Sequence, residues 1–498
     1  MSVERSTEAR LEPQQLLGAD LGAVAEEARP PERQIRVPLN AIDRAVEPLL
    51  RAGGRLVLLT ATEQPEPSLL VTLALRAELV TLRAPFEGGR AYPAVARLTA
   101  AAAWPERELH DLTGIVPLDH PQLDPIIRPD PDKIIRQVGG PETFVIPYGP
   151  IRSGVFESIQ YVIDTGGEDV LAISVRPFFK HRGLEAMFAS LGFEHGAFLA
   201  ERIAGPAAVA HAIAFAEAVE RASGSEPPAR ALRWRVVHAE LERIASHLDV
   251  ATRLAEDAAL AVGVARFGIL KEDVMRLRAR LCGSRFGRGV VTPGGIAGEP
   301  MLAASELMRA IDRFERDYTR DRRLLLRTTS FTDRLIGSGT LDRETVDAWG
   351  GVGPVARACS IGIDARFERP AGAYRRLGFR IASASSGDAM ARLEVRFQEI
   401  DQSLHLIRQA MERLERLPET LLAEVEGQAG FGFGWAEAPM GEVAYRVAVA
   451  DRVVREVRIA SPSLRNWPLF AASFRGDVLT DFSFIEHSFG LTPAGADR

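Results

Sequence analysis

Cysteine is almost missing from this sequence: its 498 residues hold two, Cys282 and Cys359, far apart in the chain. Two thiols exclude a disulfide framework, a thiolate zinc site and a four-cysteine iron–sulfur cluster held by this chain alone, and they fit a reducing compartment. Lysine is nearly as scarce, occurring only at Lys133, Lys180 and Lys271, so arginine supplies the positive charge in a chain of net charge −6. Acidic and basic residues are interspersed, which leaves no basic footprint for a nucleic acid. Long apolar runs are lacking too. The longest stretch of small apolar residues, 203–216, is too short to span a bilayer and contains Pro206. The opening MSVERSTEARLEPQQ has none of the apolar core of a signal peptide. Attachment to a membrane is therefore expected only through partners.

What is present is a globular composition, 46% hydrophobic and 26% charged, in a chain long enough for two or three cores. Residues 1–33, rich in Glu, Arg, Pro and Gln, predict a disordered leader. From 34 to 135, β-type runs such as GRLVLLTAT alternate with segments of helical period, which predicts a small N-terminal α/β domain. A mainly helical domain with β-hairpin additions is expected over 136–498, so the fold class is α+β. Within it, 149–175 predicts a hairpin turning at TGGED, and helices are expected over 197–222, 229–260, 264–282, 302–328 and 388–417. GGVGP (350–354) and GFGFG (430–434) lack the context and the lysine of a phosphate loop and read as turns.

Three stretches concentrate chemistry. ERIAGPAAVAHAIAFAEAVE (201–220) opens on Glu201 and Arg202, is broken at Gly205-Pro206, and holds His211 in an otherwise apolar run. FKHRGLE (179–185) brings together Lys180, His181, Arg182 and Glu185. In ELERIASHLDVATRLAED, Glu240, Arg243 and His247 share a helical face, Leu241, Ile244 and Leu248 share the apolar face beside it, and Asp257 lies three turns beyond His247. Such a row is either a solvated face with ion pairs or, if buried, a proton relay.

Taken in order, these pieces carry a family resemblance. ERELHDLTGIVPLDHPQL (106–123) resembles the signature of the 30-kDa-type subunit of respiratory complex I. GPIRSGVFE, FKHRGLE, ELERIASHL, TPGGI, GPVARAC, VRFQEIDQSL and EAPMGE resemble successive blocks of its 49-kDa-type subunit, which recur in the large subunit of energy-converting nickel–iron hydrogenases. In formate hydrogenlyase-type complexes the two subunits are fused in this order. The resemblance covers roughly residues 35–498 and implies the fold of a hydrogenase large subunit behind the small domain.

It also marks what has gone. The hydrogenase block E-R-(I/V)-C-G-x-C matches 201–207 with Ala204 and Ala207 at its cysteine places, and the second cysteine pair matches GLTPAGADR (490–498) at Thr492 and Gly495. Nickel there needs thiolates, so the resemblance implies no nickel and no metal held by this chain. In complex I the same region is a quinone headgroup pocket. Gly205 stands in its tyrosine place, and Arg152 and Phe156 stand in the places of its two histidines. The positions that match imply His181, Arg182, Arg152, Arg202 and His211 as quinone-pocket or cluster-facing residues, and Asp257 and His247 as the proton-handling, catalytic pair. The implied protein is an oxidoreductase subunit on the cytoplasmic side of the inner membrane, peripheral through its partners. It forms the pocket beside the terminal iron–sulfur cluster of a small partner subunit and passes electrons to quinone or another acceptor, coupled to proton or ion movement in antiporter-like and quinone-channel-like membrane subunits. The alternative is a non-redox structural or coupling subunit of such a complex, and a working nickel–iron hydrogenase is the reading least supported. No residue pattern suggests direct NAD binding.

Overall fold

A computed structural model describes residues 12–17, 21–129, 143–152 and 157–498. The expected domain boundary at 135/136 and Phe156 lie outside them.

The first part is a five-stranded sheet of β1 (Val24–Glu26), β2 (Glu32–Arg36), β3 (Arg55–Thr62), β4 (Ser68–Leu75) and β5 (Glu78–Pro85), in the order β1-β2-β5-β4-β3. β2 and β5 run parallel and the other neighbours antiparallel. Part of the stretch expected as a disordered leader is thus an edge strand: Val24–Glu26 pairs with Arg36–Gln34, and Glu26 binds Arg83 and Gln34 across the sheet. Sequence composition misses it because the strand is polar and short. α1 (Ile42–Arg51) covers one face through Ile42, Ala45, Val46 and Leu49. The other face, with Val57, Leu58, Ala74 and Leu79, is covered by the second part of the chain. β4 is therefore buried at every position, and its sequence is apolar except for Ser68 and Thr72. α2 (Ala103–Thr113) and the parallel pair β6 (Ala91–Pro93) and β7 (Val116–Leu118) complete this part.

The second part begins with the antiparallel strands β8 (Phe144–Tyr148), β9 (Gln160–Thr165) and β10 (Val170–Arg176). The expected hairpin is β9–β10, turning after Thr165. The helix expected over 197–222 is two, α3 (Phe193–Ala200) and α4 (Ala208–Ser223). Between them Ala204 is extended and Gly205–Ala207 makes a single 3-10 turn, in which Pro206, without an N–H to give, is tolerated at the start of a helix but not in its interior. α5 (Ala229–Asp257), α6 (Ala261–Cys282), α7 (Ala304–Leu326) and α8 (Ala389–Met411) form the helical core around Leu241, Ile244, Leu248, Phe397 and Leu404. α8 stops short of the expected 417 because Arg413 takes a left-handed conformation and a single 3-10 turn follows.

GFGFG is a strand and not a turn. β13 (Gly430–Ala438), β14 (Gly441–Ala450) and β15 (Val453–Ala460) form a meander, the short pair β11 (Val291–Thr292) and β12 (Gly295–Ile296) lying between α6 and α7. A side chain at Gly430, Gly432 or Gly434 would run into the backbone carbonyls of Ala222, Ala218 and Ala214 on α4. Glycine alternating with Phe431, Phe433 and Trp435 lets the strand lie flat on an alanine face of the helix. α9 (Pro462–Ala472) and α10 (Phe482–Phe489) lead into the C-terminal segment. The architecture is α+β, a sheet domain followed by a mainly helical part with hairpin additions.

Candidate functional site

Two segments far apart in sequence, 201–207 and 490–498, are held against each other by one side chain. The Arg182 guanidinium donates to the carbonyls of Arg202 (2.9 Å) and Ile203 (2.7 Å) on one segment, and to those of Ala494 (2.5 Å) and Asp497 (3.0 Å) on the other. Its burial lowers its pKa, and the four carbonyl oxygens satisfy its planar donor fork. Arg182, expected to face a cluster or ligand, is thus a clamp that sets the geometry of the pocket wall.

The four positions expected from the resemblance to stand in the cysteine places of hydrogenases lie on these two segments, and their side chains do not fit nickel or iron. Ala204 and Ala207 are buried and bring no donor atom. Thr492 donates its hydroxyl to the carboxylate of Glu157, at 2.6 and 2.8 Å from its two oxygens. At Gly495 even a Cβ would come within 2.8 Å of Ser463 Oγ. Among the described residues no three His, Cys, Asp or Glu side chains gather as a metal-ligating group, and no helix is long and apolar enough to cross a membrane.

Between the two segments and α5 lies a cavity of about 400 Å³, walled by Gly205 and Pro206, by Gly490 to Pro493, and by residues of α5, α6 and α10. Arg152 lines it, stacked between Tyr148 and Tyr161 with its guanidinium carbon 5.0 Å from each ring centre, and pairs with Glu486 at 2.6 and 3.0 Å. Burial disfavours the Arg152 charge, but Glu486 overrides that and keeps it charged. Tyr161 donates to the same carboxylate at 2.7 Å. Next to Glu486 on α10, His487 also lines the cavity, and its Nδ1 lies 2.6 Å from Asp257 Oδ2 at the end of α5. Glu242, on the α5 wall, accepts the N–H groups of Val209 (2.8 Å) and Ala210 (3.0 Å) at the start of α4. Burial still raises its pKa to about 7 against the neighbouring Arg278 and these donors.

The other residues singled out from the sequence stand off the cavity. His247 belongs to a buried ionic network: Nε2 donates to Glu399 at 2.9 Å while Arg396 donates to Nδ1 at 3.2 Å. Burial, opposed by Glu399, lowers its pKa to about 4, so the ring is neutral. In the same network Glu240 meets Arg366, Arg243, Ser403 and Tyr374, and these partners override the upward push of burial to hold it at about 2. The shared face of Glu240, Arg243 and His247 is therefore a buried charge layer and not a solvated one. His211 pairs with the Tyr445 hydroxyl at 2.8 Å, and burial, with Arg182 and Arg498 nearby, lowers it to about 3. His181 Nδ1 is buried without a hydrogen-bond partner among the described residues, and burial beside Arg128 lowers its pKa. Arg202 has 55% of its side chain exposed. Arg152 and, through His487, Asp257 are the expected site residues that meet at the cavity. Sequence reading missed Glu486, His487, Glu157 and Tyr161. The visible signal was DFSFIEHSFG, where an acid and a histidine interrupt an apolar helix.

Fold and site together define the class: a two-part chain whose second part is built on the large-subunit fold shared by complex I and the nickel–iron hydrogenases. The respiratory-chain NADH dehydrogenase 30 Kd subunit family matches residues 35–137, and the respiratory-chain NADH dehydrogenase 49 Kd subunit family matches 264–429. The chain is 26% identical over 440 residues to formate hydrogenlyase subunit 5 of Escherichia coli K12, covering 82% of this chain and 77% of that one. It is 31% identical over 277 residues to an NADH-quinone oxidoreductase subunit of Cytophaga hutchinsonii, covering 55% and 69%. A chain in the structure of the membrane-bound sulfane sulfur reductase, an archaeal respiratory membrane complex, shares the fold with a TM-score of 0.66 at 24% identity, over 72% of this chain and 99% of that one. The chain belongs to the respiratory-chain NADH dehydrogenase family of 30 Kd and 49 Kd subunits, with both parts in one polypeptide.

Proposed function

We propose that this chain forms the acceptor pocket of a membrane-associated oxidoreductase complex of the complex I or hydrogenase type. Electrons arrive from a terminal iron–sulfur cluster held by a small partner subunit and pass to a quinone or a related acceptor in the cavity. Proton or ion movement in antiporter-like and quinone-channel-like membrane subunits is coupled to that step. The chain itself sits peripherally on the cytoplasmic side of the membrane. The observation that carries this reading is the cavity: it opens where the two segments that bear metal ligands in hydrogenases meet, and hydrogen-bonding side chains line it in place of thiolates. His181 and Arg182 belong to the cluster-facing side, and Arg152 and Asp257 to the acceptor side. The test is reoxidation of the purified complex with its clusters pre-reduced. A short-chain quinone restores the oxidised spectrum if the reading holds, and no quinone-dependent oxidation overturns it. Stoichiometric nickel in metal analysis overturns it as well.

A second reading, a non-redox coupling subunit, is favoured by one feature: the Arg152 charge is already neutralised inside the chain. It expects Arg152→Ala to leave electron transfer intact while lowering assembly.

A further inference from the structure

We infer that Arg278 is a ligand-binding residue of the cavity and that the acceptor it meets carries an anionic oxygen group, held against the wall formed by α5 and α6. This rests on the acceptor-pocket reading and adds to it a residue and the charge of the ligand. Arg278 stands on α6, lines the cavity and is 3% exposed. Gly287 leaves room for it, since a Cβ there would come 2.7 Å from Nη2. A guanidinium brings five N–H donors, and buried donors nearly always find an acceptor. Here Nε and Nη2 are enclosed without a hydrogen-bond partner among the described residues. The carboxylate of Glu242 forms an ion pair with it but stays 3.8 Å from Nη2, too far for a hydrogen bond. That leaves Nη1, which is not enclosed, to face a ligand.

The groups around Arg278 do not supply what it lacks. Both oxygens of Glu242 accept backbone N–H groups, of Val209 and Ala210, and burial favours the uncharged form of that carboxyl. His238, one turn earlier on α5, is buried, and burial with Arg278 nearby lowers its pKa to about 3, so its ring is neutral. The other cations of the cavity are committed: Arg152 to Glu486, and Lys271 and Arg253 together to Asp249, at 2.6 and 3.0 Å. The α5–α6 wall thus sets three cations, Arg253, Lys271 and Arg278, against the full charge of one carboxylate and part of a second. A buried guanidinium short of acceptors and counter-charge is costly. A neutral carbonyl on the ligand would offer only an acceptor. An anionic oxygen also brings the missing counter-charge, which counts for more at a buried guanidinium than at the surface.

The experiment titrates the purified complex by calorimetry with anthraquinone-2-carboxylate and with its neutral counterpart 2-(hydroxymethyl)anthraquinone, in wild type and Arg278→Gln. Reoxidation of the pre-reduced clusters by a short-chain quinone is followed on the same preparations. The expected result is a wild type that binds the carboxylate about tenfold more tightly than the neutral probe, and a preference that falls to near unity in Arg278→Gln. A wild type that binds both probes alike or binds neither, or a preference that survives in Arg278→Gln, overturns the assignment; where reoxidation persists, the acceptor-pocket reading stands. Absence of reoxidation beside an Arg278-dependent preference overturns that reading and leaves Arg278 as an anion-binding residue. If Arg278→Gln does not fold, Glu242→Gln at pH 8 decides. Removing a carboxylate charge 3.8 Å from Nη2 raises the preference for the anionic probe, and an unchanged preference overturns the assignment.

Discussion

Gly205 and Gly495 stand within a few residues of the same clamp, and space around them differs. Nothing lies within 4 Å of a Cβ built at Gly205, which faces the cavity, whereas at Gly495 it would come 2.8 Å from Ser463 Oγ and 3.1 Å from Ser461 Oγ. Gly205→Ala should leave the unfolding midpoint in urea within experimental error. Gly495→Ala should cost about 1–3 kcal/mol, the usual range for overpacking a closed site. Of these two positions on the pocket wall, one is thus closed in by its neighbours and the other left open. Glu242 supports a second prediction at this scale. Its folded pKa of about 7 lies above the ordinary value of 4.5, so the folded chain holds a proton that the unfolded chain releases between those values. The stability this contributes is fully present below pH 4.5 and is lost as pH rises through about 7, in total roughly 3 kcal/mol at about 1.4 kcal/mol per pH unit. Glu242→Gln should flatten that part of the stability-versus-pH curve, read as unfolding free energy at pH 5 and at pH 7.5.

Elements built from small residues were the hardest to read and are the most exacting to change. α4 was legible as a helix, and its alanines at 214, 218 and 222 looked merely smooth. Their role depends on β13, whose glycines touch the helix backbone directly. The alternation Gly-Phe-Gly-Phe-Gly-Trp has the period of a strand, but glycine's preference for turns outweighs that signal when only local propensity is weighed. The long helices α5, α6, α7 and α8 were legible because an apolar stripe at helical spacing survives whatever packs against it. Gly432→Ala tests the close approach. Its Cβ would meet the Ala218 carbonyl oxygen and lie 2.5 Å from the Ala222 nitrogen, and neither backbone group can move aside as a side chain would. The expected outcome is a loss of about 3 kcal/mol or failure to fold, measured by denaturant unfolding, while Phe431→Leu on the opposite face costs less.

Across the whole molecule, the site is made by contacts that no local pattern announces. Asp257 meets His487 across 230 positions, and Arg152 meets Glu486 across 334. Family blocks located both segments of the pocket, yet they could not say that the aligned aspartate would find its histidine on α10. The same holds for the seam between the two parts of the chain. There Glu442 on β14 receives Arg55 of β3 at 2.5 Å together with Arg369, and Arg465 lies 3.7 Å away. Burial pushes the Glu442 carboxyl up, and Arg369, Arg55 and Arg465 override it, so that it lies below the usual carboxylate range. Glu442, with Glu368 beside it, thus neutralises a cluster of guanidinium groups at the seam. Glu442→Gln keeps the shape and removes the more buried of two charges, leaving those arginines only Glu368, 3.8 Å from Arg55 and 3.6 Å from Arg369, so the loss approaches the about 3–5 kcal/mol that removing one partner of a buried pair costs. Because the loss falls on the seam, calorimetry should show the wild-type chain unfolding in one transition and the variant in two, with the sheet domain separating from the helical part at the lower temperature. A single transition at an unchanged midpoint would mean that the apolar contact of Val57, Leu58 and Leu79 with Phe433 and Trp435 holds the two parts together without the charge cluster.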